Sequence, residues 1–320
     1  MPNNNITNIT IPNNISVSVP SSPQLMTTFV LKEQNDWFED EISFIRQFIK
    51  PGMKVLDIGA NYGLYTLTIA SIIGNSGKVW AFEPTETTAN YLRKSILRNR
   101  FNNIELIQCG LSDRIGEAKL FTSPNSELNS LSKGSIPSGH HETIKLLTLD
   151  QCKIGHGWEH IDFIKLDAEG EESNILEQGE KTLTSSSPLI MFELKHGENI
   201  NLPLIKRFKS MAYDCYRLIP GLNVLIPFDD AKPFDGYLLN LFCCKKDRAE
   251  QLEREGVIVR NHKNKRAINN SAAHEYIEKL AFGESLKTFT NFTTSAASHD
   301  YLDILNAYTM SLSESASSFD

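Results

Sequence analysis

The chain has 320 residues, of which 40% are hydrophobic and 22% charged, and its formal net charge is −7. That length suits one large α/β domain with extensions, or two average domains, and buries a core without disulfide or metal staples. The composition excludes a collagen, a coiled-coil rod and a wholly disordered chain, and the acidic balance argues against a dedicated nucleic-acid binder.

Residues 1–25 are rich in Asn, Ser, Thr and Pro and carry no charge, which predicts a flexible polar tail with no secretory leader. Asp36–Ile49 then sets Phe38, Ile42, Ile45 and Phe48 at helical steps and stops before Pro51-Gly52. Strands are expected at Lys54–Ile58, Lys78–Glu83, Ile104–Cys109, Phe163–Asp167, Pro188–Leu194 and Tyr237–Cys244. Helices are expected between them at Leu64–Ile73, Thr85–Asn99 and Glu172–Leu183. Nearly continuous apolar strands alternating with helices indicate a largely parallel sheet covered on both faces. Thr122–His141 reads as a loop over the substrate side, and acceptor contacts are expected there and in residues 195–235.

After Cys244 the pattern becomes helical, at Lys246–Glu255, Ala273–Phe282 and Tyr301–Leu312. Residues 248–320 are therefore expected to form a helical C-terminal extension, a candidate surface for a homo-oligomer. No run reaches the roughly 18 apolar residues of a membrane span. Five cysteines without C-x-x-C spacing suit reduced thiols and a cytoplasmic protein.

The strongest signal is Val55-Leu56-Asp57-Ile58-Gly59-Ala60-Asn61-Tyr62-Gly63, a buried strand running into a glycine loop that opens a helix. Gly59 permits a tight turn and a close backbone approach, and Gly63 lets the helix start against the sheet. A dinucleotide fingerprint would place a glycine where Asn61 stands, to make room for a pyrophosphate. The next strand ends at Glu83, which lies 24 residues after Gly59, near where an acid accepts ribose hydroxyls. The ligand implied is a nucleoside with a free ribose and no phosphate at the loop, a description that S-adenosylmethionine meets.

With these residues in place the sequence resembles the FkbM family of S-adenosylmethionine-dependent methyltransferases. The resemblance rests on Val55–Thr66, Phe82-Glu83-Pro84, Asn99, Leu111-Ser112-Asp113, Ile161–Glu172, Leu176-x-x-Gly179 and Pro188–Glu193, in order from about Trp37 to Cys244. It implies a methyltransferase domain over residues 26–247, built on a Rossmann-like sheet of seven strands with the last one antiparallel. It also implies that Asp57, Gly59, Asn61 and Gly63 face the methionine part of the cofactor. Glu83 would hold the ribose, and Leu111, Ser112 and Asp113 would border the adenine.

Ligands of open α/β sheets bind beyond the carboxyl ends of the strands. Asp167 and Glu169, at and after the fourth strand, are thus expected beside the transferred methyl. Glu193 and His196 reach the same rim. Asp167, Glu169, His196 and Lys165 are the candidate catalytic residues. Each also has a structural reading: Glu169 as a helix cap, Lys165 as the partner of a neighbouring acid, His196 as a solvated loop residue, Asp167 as a cofactor ligand. No metal is expected, since the oxygen ligands lack a fixed spacing. The resemblance implies transfer to a hydroxyl oxygen of a small-molecule or glycan acceptor, and the acidic balance points to no nucleic-acid partner. A nicotinamide-dependent oxidoreductase and a non-catalytic cofactor-binding assembly protein remain as alternatives.

Overall fold

A computed structural model describes residues 6–121, 141–196, 199–231 and 238–260. The first elements correct the expectation of a flexible tail. Ile6–Ile11 (β1) and Ile15–Pro20 (β2) form an antiparallel hairpin. Its turn, Pro12–Asn14, uses Asn13 and Asn14 in the left-handed region, which asparagine tolerates. Ile9, Ile11, Ile15, Val17 and Val19 alternate onto one buried face. Full burial of such side chains stabilises by about 1.5–3 kcal/mol each, which works against the cost of ordering the segment. The alternation was present in the sequence but masked by the Asn, Ser and Thr between the apolar positions.

The hairpin leads into Met26–Gln34 (α1), which ends at Asn35 in the left-handed conformation. The next helix, Asp40–Phe48 (α2), starts four residues later than the periodicity predicts. Asp36 accounts for the delay: its carboxylate accepts the Trp37 N–H at 2.8 Å and pairs with Arg46, so residues 36–39 stay outside the helix.

The central α/β layer follows as Lys54–Ile58 (β3), Leu64–Ile73 (α3), Lys78–Phe82 (β4), Glu86–Asn99 (α4) and Ile104–Ile107 (β5). The chain then leaves the sheet. Gly110–Leu111 (β6), Gly116–Phe121 (β7) and His141–Leu147 (β8) make a separate three-stranded sheet, ordered β6-β8-β7. Residues 122–140 of the expected substrate loop lie outside the described residues. Leu149–His156 (α5) leads to Phe163–Leu166 (β9).

The single helix expected at Glu172–Leu183 is two, Glu172–Glu177 (α6) and Glu180–Ser186 (α7). Gly179 lies at the break, where a Cβ would come within 2.7 Å of Leu149 on α5. The chain continues through Leu189–Glu193 (β10), Lys195–His196 (β11), Asn199–Ile200 (β12) and Leu202–Ser210 (α8). Tyr213–Ile219 (β13), Val224–Pro227 (β14), Asn240–Lys245 (β15) and Lys246–Arg254 (α9) complete it. Much of 195–235, expected to carry acceptor loops, is instead regular structure, with Tyr213, Tyr216 and Leu218 of β13 buried in the core.

Among the described residues the main sheet has eight strands in the order β14-β13-β15-β10-β9-β3-β4-β5. The ladders of β3, β4, β5, β9 and β10 are parallel, and β15 runs antiparallel to both β10 and β13. This is the Rossmann-like sheet with an antiparallel last strand, extended at one edge by β14. Helix α9 had been placed in the C-terminal extension. It packs with the main domain through Ala249 and Leu252, and Ile258 pairs with Leu225. The helices expected at Ala273–Phe282 and Tyr301–Leu312 lie outside the described residues.

Asn99, one of the motif residues, joins the hairpin to the layer. Its side-chain amide accepts from Ser16 N–H at 2.8 Å and donates to Ser16 C=O at 2.7 Å, as a neighbouring strand would. Ser95, one turn earlier on α4, accepts from Ser18 N–H.

Candidate active site

The carboxyl ends of β3, β4, β9 and β10 open on a cleft of about 460 Å³. Its floor is the loop Gly59–Gly63. Gly59 has φ +79, and a Cβ there would lie 1.7 Å from the Asp167 carbonyl oxygen. Glycine is thus required by the packing of one strand end on another, more than by the approach of a ligand. Gly63, at φ +88, begins α3 and lies against Leu92 of α4. Asn61 between them is also left-handed, at φ 49.

Glu83, at the end of β4, holds this loop in shape. One carboxylate oxygen accepts from Asn61 N–H at 3.0 Å and the other from Thr85 N–H at 2.9 Å. Burial raises its pKa to about 7 against those hydrogen bonds. The Thr85 side chain also hydrogen-bonds to this carboxylate, which still has acceptor capacity for a hydroxyl at the cleft. Leu111 lines the adjoining part of the cleft with Ile144 and Leu146. Gly110 keeps this slot open, because a Cβ there would meet both side chains at 3.0–3.1 Å. An apolar slot of this kind suits a planar base.

Not every predicted cofactor residue lines the cleft. Ser112 is fully buried and donates to Glu171 at 2.7 Å, and Asp113 pairs with Arg114. Asp57 is fully buried beneath the loop. One of its oxygens accepts from Thr66 and the other has no hydrogen-bond partner.

The other end of the cleft is charged. Lys165 is buried and donates to Asp167 at 2.7 Å, while its ammonium lies 5.3 Å from the Tyr65 ring centroid. Burial alone would lower its pKa, but Asp167, Asp57 and Glu39 outweigh that and raise it, so Lys165 is a fixed cation. Glu169 follows in the left-handed region at φ 51. Burial first, then Asp167, Glu193 and Glu172, push its carboxyl up to about 9. Glu193, at the end of β10, rises to about 8 through burial and Asp167. Glu172 does not face this end; it accepts from the Ala168 and Gly170 amides and fixes the loop that carries Glu169. His196 falls in β11, whose backbone pairs with β12; its side chain lies outside the description. Among the described residues no group of three His, Cys, Asp or Glu side chains gathers as metal ligands.

Several lining residues escaped the sequence reading, among them Trp37, Phe38 and Glu39 from the segment ahead of α2. Glu39 accepts from the Tyr65 hydroxyl at 2.6 Å, and burial raises its pKa. The helical periodicity absorbed these residues; the sequence signal that sets them apart is Asp40-Glu41, acids suited to a first helical turn, which place the helix start after Glu39.

The donor set tested against S-adenosylmethionine fits. A hydroxyl acceptor, an apolar slot for a base and a carboxylate-rich end for a cation follow one another along one cleft. The buried, unpartnered oxygen of Asp57 lies under the same loop.

Residues 57–215 match the family described as Methyltransferase FkbM domain. The methyltransferase sdnD of Sordaria araneosa is 27% identical over 152 residues, covering 38% of this chain and 58% of that protein. A protein-L-isoaspartate O-methyltransferase of Methanothrix thermoacetophila is 30% identical over 59 residues, 18% of this chain and 28% of that protein. The chain thus spans less than two thirds of the length of these curated relatives. Among solved structures, an FkbM methyltransferase of Methylobacillus flagellatus aligns over 60% of this chain and 43% of its own. Its TM-score is 0.42 and its identity 18%. Residues 57–215 of the chain thus carry a Methyltransferase FkbM domain.

Proposed function

We propose that the protein transfers a methyl group from S-adenosylmethionine to a hydroxyl oxygen of a small-molecule or glycan acceptor. The observation that carries this reading is Glu83, a buried carboxyl group held by two backbone amides and the Thr85 side chain where the carboxyl edge of the sheet meets the cleft. Glu83 and the Gly59–Gly63 loop would hold the cofactor's ribose and methionine part, and Leu111, Ile144 and Leu146 its base. When bound, the cofactor supplies an electrophilic methyl group on a sulfonium.

The protein's part is positioning and proton transfer. Lys165 fixes Asp167, which orients the loop 167–169 at the methyl end. Glu169, or Glu193 across from it, takes the proton that the acceptor hydroxyl must lose. Their raised pKa values make both better bases once ionised, and a nearby cation would favour that ionised form. All five cysteines are free and buried, which supports the cytoplasmic reading.

Isothermal titration with S-adenosylmethionine and S-adenosylhomocysteine tests the cofactor assignment. Micromolar affinity, on the order of −8 kcal/mol, is the expected result. A folded protein that bound neither would overturn the assignment. Transfer of labelled methyl to nitrogen or carbon acceptors, with alcohols inert, would overturn the oxygen reading alone.

A further inference from the structure

The cleft has a second wall that lies outside the family match. Met26, Trp37 and Phe38 form it from a segment ahead of residue 57, and Leu239 joins them just before β15. Met26 is 53% exposed, Phe38 46% and Leu239 37%. Single exposed apolar side chains are ordinary, but a group of them along a binding cleft marks a ligand surface.

This rim is braced. Asp36 and Arg46 form a two-point ion pair at 2.5 and 2.7 Å directly before it. The Trp37 and Phe38 rings pack with centroids 4.8 Å apart, and Trp37 also rests on the buried core. Of the neighbouring polar lining groups, Thr27 and Asn240 are buried, and the half-buried Glu39 is engaged by the Tyr65 hydroxyl. The outer part of this wall therefore offers hydrocarbon and aromatic faces.

We propose that the rim is the acceptor platform, and that the acceptor is an uncharged alcohol carried on an apolar body rather than a sugar or a phosphorylated compound. The inference rests on the methyl-transfer reading above. A sugar carries hydroxyls around its edge, which would give up hydrogen bonds to water against Met26, Phe38 and Leu239. An apolar body gives up none and covers all three. A phosphate finds no free cation: among the described lining residues the one ammonium, Lys165, is held by Asp167. The alcohol's hydroxyl would reach the carboxylate end while its body lies on Phe38 and Met26.

The test uses the full chain saturated with S-adenosylhomocysteine, after calorimetry has shown that the cofactor product binds. Saturation-transfer NMR then compares cyclohexanol with methyl β-D-glucopyranoside. Cyclohexanol should saturate and the glucoside should not. Phe38→Ser should weaken cyclohexanol binding roughly tenfold, about 1.4 kcal/mol, and Phe38→Leu should restore most of it. Because Phe38 is exposed, both variants should keep the wild-type thermal midpoint, which is checked first. Three results would each overturn the platform while leaving the cofactor reading intact. They are tighter binding of the glucoside, no binding of cyclohexanol, and cyclohexanol binding that Phe38→Ser leaves unchanged. Failure of S-adenosylhomocysteine itself to bind would overturn both readings.

Discussion

The two walls of the cleft are built on different principles. The wall at Gly59, Glu83 and Asp167 is made of strand ends, whose positions are fixed by ladders running through the main sheet. Its tolerances are tight, as the 1.7 Å clearance at Gly59 shows. The wall at Met26, Trp37 and Phe38 belongs to no sheet. It hangs between a hairpin tied to α4 by side chains and an ion pair between Asp36 and Arg46. The rigid wall suits a constant ligand and the suspended one a variable ligand, because elements held by side chains change without disturbing the layer.

The contrast is broken most severely at Lys165. Lys165→Met leaves Asp167 without its ion-pair partner and Asp57 buried beside no cation; losing one partner of a buried pair typically costs about 3–5 kcal/mol, and about 2–3 is expected here because Asp167 is partly solvated. Urea unfolding should show that loss together with loss of cofactor binding. A stability change under 1 kcal/mol would mean that Lys165 is not the cation holding the strand ends together.

A smaller effect, confined to the rigid wall, is expected at Glu83. Glu83→Ala should weaken cofactor binding by about 1.5–3 kcal/mol, the scale of hydrogen bonds to a charged group. Unchanged affinity in calorimetry would remove the ribose role from this residue.

The suspended wall is probed from a distance by Asn99→Ala, which deletes both hydrogen bonds to Ser16. A loss of about 1–2 kcal/mol is expected, with faster proteolysis within residues 6–20 and little change in cofactor affinity. If cofactor affinity fell as much as it does in Glu83→Ala, the two walls would not be separable.

The gentlest test is pH. Glu169, Glu193 and Glu83 have folded pKa values of about 9, 8 and 7, above the ordinary 4.5. Between those limits the folded state holds protons that the unfolded state has released, so stability falls as pH rises through this window. The thermal midpoint of the cofactor-free protein should decline from pH 6 to pH 9. The decline should flatten in Glu169→Gln with Glu193→Gln, and an equally steep decline in that double variant would assign the protons elsewhere.

The sequence by itself determined the strand–loop–helix at residues 54–73, the acid at the end of the next strand and the signature around Asp167. These are local patterns: a buried strand must be apolar throughout, a left-handed turn favours glycine, and a strand end in an α/β sheet is where ligands bind. The family resemblance is carried by those same residues. Tertiary structure decided the rest. Residues 6–20 read as solvated because their apolar side chains alternate with polar ones, and the surface that buries them is assembled from α1, the Gly59–Gly63 loop, α3 and α4. The strand β13 and helix α8 were missed because β13 carries Asp214 and Arg217 among its apolar residues and so lacks a continuous apolar run. Trp37, Phe38 and Glu39 became part of the site through the Asp36–Arg46 pair, a contact over ten residues that no helical periodicity encodes. The charges at the methyl end also belong to the fold. Glu39, Lys165 and Glu193 lie far apart in sequence, and their altered pKa values come from shared burial at one edge of one sheet.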